Sequence, residues 1–251
     1  MELDAITTKI DLSEIYPFNV AGDSHPGLVR EYNEDSFGYQ VGEGSKRSFA
    51  AVADGIGGHE CGDLASNLCM KMMLSAWRAL RCKATIDETG AFSFLRDNLE
   101  KVNEIIFNIN DTYNIQMGTT VVASVVLPKT VVVAHAGDSR MYRLRHGLLE
   151  RITNDHSFVA ELVRKKVITE AEASTHPFAH IISKSVGPAQ ALEPEIKAYD
   201  RMVADRFLLC TDGLTQHVKD IDIQKILNEA YDPQQAVKRL LNASLRGGGE
   251  D

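Results

Sequence analysis

The sequence lacks any long hydrophobic run. None of its apolar segments approaches the roughly 20 residues that a transmembrane helix needs. The first residues mix acidic with apolar side chains and do not form the apolar core of a signal peptide. We therefore expect a cytoplasmic protein that does not associate with membranes.

The chain is also poor in cysteine and in clustered basic residues. Its four cysteines show no paired spacing and lie within apolar patterns, which indicates reduced core residues and neither a disulfide framework nor a zinc set. The 27 Lys and Arg residues are scattered and are outnumbered by 35 Asp and Glu, so the net charge is −8. Nucleic acid is therefore not expected as a partner, and a metal phosphodiesterase or nuclease has little support. An acidic protein that handles phosphate needs local positive charge from a metal or a placed arginine.

What the chain does contain is a repeated pattern in which an apolar strand leads directly to an aspartate. The pattern occurs in the segments FAAVADGIGG (49–58), VVVAHAGDS (131–139) and FLLCTDG (207–213). It brings Asp54, Asp138 and Asp212 to strand ends, where converging buried carboxylates repel one another unless a cation lies between them.

An all-oxygen ligand set of this kind favours magnesium or manganese over zinc. One such aspartate is more often a turn residue, but three in the same context favour a metal site. Gly55 can add its backbone carbonyl, because glycine lets the backbone approach a cation closely.

The hydrophobic periodicity predicts two long helices, at residues 61–81 and across 92–109. It also predicts strands that pair as antiparallel hairpins, because their connections are too short for a helical crossover. These strands lie at 118–127 with 130–136, and at 141–144 with 148–152. A further strand is expected at 18–23. Helices grouped between hairpins predict an α+β fold with antiparallel sheets.

Arg30 precedes two acidic residues, Glu34 and Asp35, by four and five positions. An arginine beside acids usually forms a surface ion pair of little energetic weight. The same guanidinium could instead grip a phosphate through two parallel hydrogen bonds, which is the geometry it supplies best. The residues alone leave both interpretations open.

Six motifs occur in an order that resembles the metal-dependent serine/threonine phosphatases, the phosphatase 2C or PPM family, in its bacterial branch. They are REYNEDS (30–36), VADGIGG (52–58), GTT (118–120), AGDSR (136–140), CTDGL (210–214) and GGGED (247–251). The resemblance implies one catalytic domain over residues 1–251, built as a sandwich of two antiparallel β-sheets flanked by helices. Residues 154–187 would form its flap insertion. The chain ends where the family continues, so the family's last strand is expected to be absent.

The resemblance also implies a centre with two Mn²⁺ or Mg²⁺ ions and room for a third. Asp54 would bridge the two ions, Glu34 and Asp35 would act largely through water, and Asp138 would share the third ion with Asp212. Arg30 would bind phosphate and, with Asp54 and Asp212, would make up the catalytic set. The full metal set is Glu34, Asp35, Asp54, Gly55, Asp138, Asp212 and Asp251.

The activity implied by the resemblance is hydrolysis of phosphoserine and phosphothreonine in proteins by a water that bridges two metal ions, without a phosphoenzyme. Its partners would be phosphoproteins and a bacterial Ser/Thr kinase that the enzyme opposes, and the protein would be a monomer. Many family members carry a histidine, as leaving-group acid, where this chain has Ile56. Metal-bound water is then the expected proton donor. The alternative is a catalytically weak or inactive domain that binds phosphoproteins, which the intact carboxylate motifs disfavour.

Overall fold

A computed structural model describes residues 19–41, 47–57, 60–81 and 86–249. The strands in these ranges are β1 (Asp35–Val41), β2 (Ser48–Ile56), β3 (Gly118–Thr119), β4 (Val121–Val126), β5 (Thr130–Ala136), β6 (Arg140–Arg145), β7 (Leu148–Arg151), β8 (Glu195–Asp200) and β9 (Arg206–Cys210). The helices are α1 (Glu60–Arg81), α2 (Glu88–Tyr113), α3 (Phe158–Arg164), α4 (Glu170–Ser174), α5 (Asp212–Thr215), α6 (Asp220–Glu229) and α7 (Pro233–Gly247).

The strands form two antiparallel sheets. The larger sheet has the order β1-β2-β4-β5-β8, with β3 paired to the end of β2, and the smaller sheet has the order β7-β6-β9. The hairpin of β4 and β5 pairs in the register Val125 with Val132, and β6 and β7 pair in the register Leu144 with Leu149. The predicted α+β class and both predicted hairpins are confirmed.

Three apolar clusters divide the fold into four layers. The first cluster lies between α1, α2 and the larger sheet, where the Trp77 ring packs 5.6 Å from Phe49 and 5.4 Å from Phe94 between ring centroids. The second lies between the sheets and includes Val133 and Met141. The third joins the smaller sheet to α6 and α7. Helices therefore cover both outer faces of the sandwich.

The side chains of strand β5 point alternately into two of these apolar clusters. Its Val132, Ala134 and Ala136 belong to the helix-facing cluster. Val131 and Val133 belong to the cluster between the sheets. Successive side chains of a strand point to opposite faces, so an unbroken apolar strand is buried on both sides.

The strand expected at 18–23 is wrong for the residues that the structure describes, because 19–26 form no strand. A side-chain hydrogen bond and a turn hold this segment instead of strand pairing. Asn33 Nδ2 donates to Ser24 Oγ at 2.7 Å, and Gly27 adopts a φ of +79°. Leu28 N then donates to Gly249 O at 2.6 Å. The segment thus lies beside the end of α7.

The segment at 154–187, which we call the flap segment, carries only the short helices α3 and α4. Ser157 caps α3, and Thr169 with Glu172 forms the predicted capping box of α4. At the far end of the segment, Val186 exchanges two backbone hydrogen bonds with Thr119, both of 2.9 Å. The flap segment therefore ends beside β3.

Of the helices in the described part of the chain, not one combines the length and apolar character needed to cross a bilayer.

Candidate metal centre

Asp54 lies inside β2, where the register places it directly opposite Asp35 of β1. The sequence pattern suggests that this strand ends at Asp54, but β2 continues to Ile56 because Gly55 and Ile56 pair with β3. Asp54 is therefore paired with β1 on one side, and on the other side it lies between the parts of β2 that pair with β4 and with β3. This pairing brings two of the predicted ligands to neighbouring positions on adjacent strands.

Thr120 fixes the backbone of Asp54. The Thr120 N–H donates to Asp54 O at 2.8 Å, and Thr120 Oγ1 accepts from Asp54 N at 3.1 Å. The same Oγ1 lies 2.7 Å from Ser139 Oγ. Since Ser139 follows Asp138 directly, this buried contact ties the strand of Asp54 to the turn of Asp138. The GTT motif was the sequence signal for this residue, although no role could be assigned to it from the pattern.

Asp138 and Asp212 lie where β5 and β9 end. Gly137 has a φ of +114°, and a Cβ there would come within 2.5 Å of Thr120 Cβ, so only glycine lets this turn pack closely enough. Burial, reinforced by the negative charges of Asp212 and Asp155, raises the pKa of Asp138 to about 7. The Asp138 carboxylate therefore lies in the electrostatic field of Asp212, which begins α5.

Asp35 and Glu34 extend the site toward β1. Thr211 Oγ1 donates to Asp35 Oδ2 at 2.8 Å, which places Asp35 next to the residue preceding Asp212. Gly55 N donates to Glu34 O at 3.1 Å. A Cβ on Gly55 would lie 2.2 Å from Gly62 O, so only glycine allows β2 to pass this close to the first turn of α1.

Arg30 forms an ion pair with Glu34, with 2.5 Å between Arg30 Nη1 and Glu34 Oε2. The Arg30 side chain is 41% exposed, whereas that of Glu34 is 10% exposed. The guanidinium thus lies at the solvent side of the carboxylates. The first interpretation of Arg30, an ion pair with an acid four residues away, is observed, and phosphate binding stays a prediction.

Asp251 lies outside the described residues, so its predicted ligand role stays a prediction. The described chain reaches Gly249, whose carbonyl accepts the hydrogen bond from Leu28. Leu28 lies two positions before Arg30. The end of the described chain is thus next to the segment that carries the arginine.

The acidic side chains fit a divalent cation. Glu34 Oε1, Asp138 Oδ1 and Asp212 Oδ1 are buried and find no hydrogen-bond partner within the described ranges. A buried carboxylate oxygen without a partner is costly, and a cation satisfies it. The donors are all oxygen atoms, which suits Mg²⁺ or Mn²⁺. Within the described residues, no three of these carboxylates place ligand atoms within 4.8 Å of one another, in line with their mutual repulsion.

The layered fold and the acidic site define a class of enzyme. The chain belongs to the protein phosphatase 2C family, which it matches over residues 22–246. It is 32% identical over 227 residues to the serine/threonine phosphatase stp of Listeria monocytogenes, a match that covers 90% of this chain and 89% of the relative.

Solved structures give the same result. The serine/threonine phosphatase Stp1 from Staphylococcus aureus superposes with a TM-score of 0.82 at 32% identity, over 90% of this chain and 88% of the other. The catalytic domain of PstP, solved in complex with two manganese ions, superposes with a TM-score of 0.75 at 33% identity, over 90% of each chain. The family, the enzyme class and the sandwich fold predicted from the motifs are confirmed. The manganese ions of PstP agree with the manganese or magnesium cofactor predicted from the motifs.

Proposed function

We propose that this protein removes phosphate from phosphoserine and phosphothreonine side chains of proteins by metal-dependent hydrolysis. One observation carries the proposal: buried carboxylate oxygens of Glu34, Asp138 and Asp212, from separate segments, have no hydrogen-bond partner among the described residues. Cations held by Asp212 and Asp138, and ordered water at Glu34, would satisfy these oxygens, and the family match specifies the reaction. We also propose that residues 1–251 form one catalytic domain with the flap segment as an insertion.

Asp54, Asp212 and the Gly55 carbonyl would hold the metal pair, with Asp251 as a further ligand. Two divalent cations, when bound, supply a water of lowered pKa as nucleophile and offset the negative charge of the phosphoryl group. Glu34 and Asp35 would orient water in the site. Asp138 would share a third ion with Asp212.

Arg30 would bind the phosphoryl oxygens from the solvent side of the site. A guanidinium there offsets the charge of these oxygens as the bond to the serine or threonine oxygen breaks. Ile56 is apolar, so this position provides no acid, and the leaving oxygen would take its proton from water in the site. Cys69 and Cys210 are no substitute nucleophiles, because burial raises the pKa of each thiol to about 12.

We further propose that the protein acts as a monomer in the cytoplasm, opposite a Ser/Thr kinase that supplies its phosphoprotein substrates. Cys61, Cys69 and Cys210 are free thiols, as expected in a reducing compartment. The kinase follows from the chemistry, because each phosphoserine or phosphothreonine must first be made.

The test is manganese-dependent release of phosphate from a phosphothreonine peptide. Asp212→Asn should lower kcat/KM by at least about 100-fold, since it removes a charged group that holds the cations. Asp97→Asn, the same change on the exposed face of α2, should leave kcat/KM unchanged. Full turnover by Asp212→Asn in excess chelator would contradict the proposed function.

A further inference from the structure

A second cluster of metal-binding side chains consists of residues that the aspartate centre does not use, and it adjoins the turn before Asp138 through the hydrogen bond from Gly137 N to His156 Nδ1. It consists of His135 in β5, His156 in the flap segment and Glu195 at the start of β8, and β5 and β8 place His135 opposite Glu195. Their ligand atoms all lie within 4.8 Å of one another, and among the described residues this is the only group of three His, Cys, Asp or Glu side chains that close. Both histidines are buried, and the proposed phosphatase reaction uses none of the three.

The hydrogen bonds define which nitrogen atoms carry lone pairs. His135 Nε2 lies 2.9 Å from Asn154 O and must donate to it, which leaves Nδ1 as the acceptor. His156 Nδ1 accepts from Gly137 N at 3.3 Å, so its Nε2 faces Glu195 Oε2 at 3.4 Å. The two rings stack, with centroids 4.5 Å apart and planes 10° from parallel.

Both imidazoles have the neutral charge state from which histidine binds metals, although the Nε2 of His156 carries the ring proton. Burial lowers the pKa of His135, and burial together with His135 lowers the pKa of His156 to about 4. They are therefore neutral at pH 7, and neutral imidazole is the metal-binding form of histidine. Lys184 and Lys197 also disfavour their protonation.

We propose that His135, His156 and Glu195 form a binding site for a zinc-type transition-metal ion, separate from the aspartate centre. Two histidines and one glutamate are a donor set that zinc uses with a fourth, open position. A cavity of about 10 Å³ adjoins His135 and Glu195. That is about the space one water needs.

The surroundings of the cluster also match a metal site. Ligating histidines donate their second N–H to a carbonyl or a carboxylate, as His135 does to Asn154 O. Ligating carboxylates are themselves held by hydrogen bonds, and Lys197 Nζ lies 2.5 Å from Glu195 Oε1. Binding through His156 Nε2 moves the ring proton to Nδ1. Metal binding there would therefore give up the Gly137–His156 hydrogen bond.

Cobalt(II) is the probe, because its visible spectrum distinguishes a tetrahedral site with nitrogen ligands from an octahedral all-oxygen site. The full chain is first saturated with Mg²⁺, which prefers the oxygen ligands of the aspartate centre. Co²⁺ should then bind at one equivalent with the intense bands of tetrahedral coordination. Zn²⁺ should displace it, and the imidazole NMR resonances of His135 and His156 should shift with the same single equivalent.

The variants separate the two sites. Glu195→Gln keeps the side-chain size at a position that is 27% exposed and should lower Co²⁺ affinity at least about tenfold. Glu193→Gln, an exposed neighbour, and Asp212→Asn should leave the tetrahedral spectrum intact. An octahedral spectrum alone, unchanged affinity in Glu195→Gln, loss of the bands in Asp212→Asn, or imidazole resonances that do not move would each overturn the proposal. None of these results depends on phosphatase activity, so the two proposals can fail independently.

Discussion

Thr120 contacts both the N–H and the C=O of Asp54, and its hydroxyl also meets Ser139. Thr120→Val keeps the shape of the side chain but removes the acceptor of the partly buried Asp54 N–H. An unmet buried donor costs about 1–3 kcal/mol. We expect the free energy of unfolding in chelator to fall by that amount, and Mn²⁺ affinity to fall with it.

Thr120→Ser is the matched control, because it retains the hydroxyl and loses only a methyl group. Denaturant unfolding and calorimetric Mn²⁺ titration should place it much closer to wild type than Thr120→Val. Equal metal affinity in all three proteins would show that the hydroxyl does not position Asp54.

The carboxyl group of Asp138 makes the stability of the metal-free protein depend on pH. Its folded pKa is raised from 3.8 to about 7, so between these values the folded state binds the proton that the unfolded state has lost. The free energy of unfolding therefore falls as pH rises from about 4 to about 7, by on the order of a few kcal/mol. Asp138→Asn should flatten this part of the stability profile, measured in chelator. A steeper profile in the variant would contradict the assignment.

At the scale of elements, Arg140 joins β6 to the base of the flap segment. Its Nε lies 3.0 Å from Asp155 Oδ1, and its Nη2 lies 2.7 Å from Asp155 Oδ2. Nη1 lies 3.3 Å from the hydroxyl of Tyr142, which donates to Asp220 Oδ1 of α6 at 3.0 Å. One guanidinium thus connects a strand, the flap segment and a helix.

Asp155→Asn should lower the free energy of unfolding by about 2–3 kcal/mol, because it removes the charge partner of the largely buried Arg140. Glu150→Gln is the matched control. Glu150 of β7 pairs with Arg143, which lies on β6 like Arg140, but the Glu150 side chain is 57% exposed. Exposed ion pairs contribute about 0–1 kcal/mol. Chemical unfolding of both variants measures the difference. Equal losses would mean that Arg140 does not anchor the flap segment.

At the scale of the whole molecule, metal binding should stabilise the fold, because the ligands come together only in the folded chain. At a Mn²⁺ concentration 100 times its Kd, the free energy of unfolding should rise by about 2.7 kcal/mol for one site. Calorimetric melting with increasing Mn²⁺ measures this, and Asp212→Asn should show a smaller rise. A melting temperature that does not depend on Mn²⁺ would argue against a site formed by folding.

Local periodicity determined much of the architecture. The apolar stripe of α2 and the unbroken valines of β5 each repeat within a few residues, so their burial can be read without knowing the partner element. The capping box at Thr169 and Glu172 is equally local. The strand-end aspartates and the ordered motifs pointed to the same metal-dependent class that the comparisons show.

Contacts between distant residues were decided only by the tertiary structure. The extension of β2 to Ile56 depends on pairing with β3, more than 60 positions later. The contacts of Thr120 with Asp54 and Ser139 likewise join separate segments. So does the cluster of His135, His156 and Glu195, and nothing in the local sequence patterns specifies these partners. The sequence alone determined the main helices and hairpins and which residues carry the phosphatase motifs, because these depend on short-range pattern. Which side chains face one another depended on how the two sheets stack, and only the folded chain contains that information.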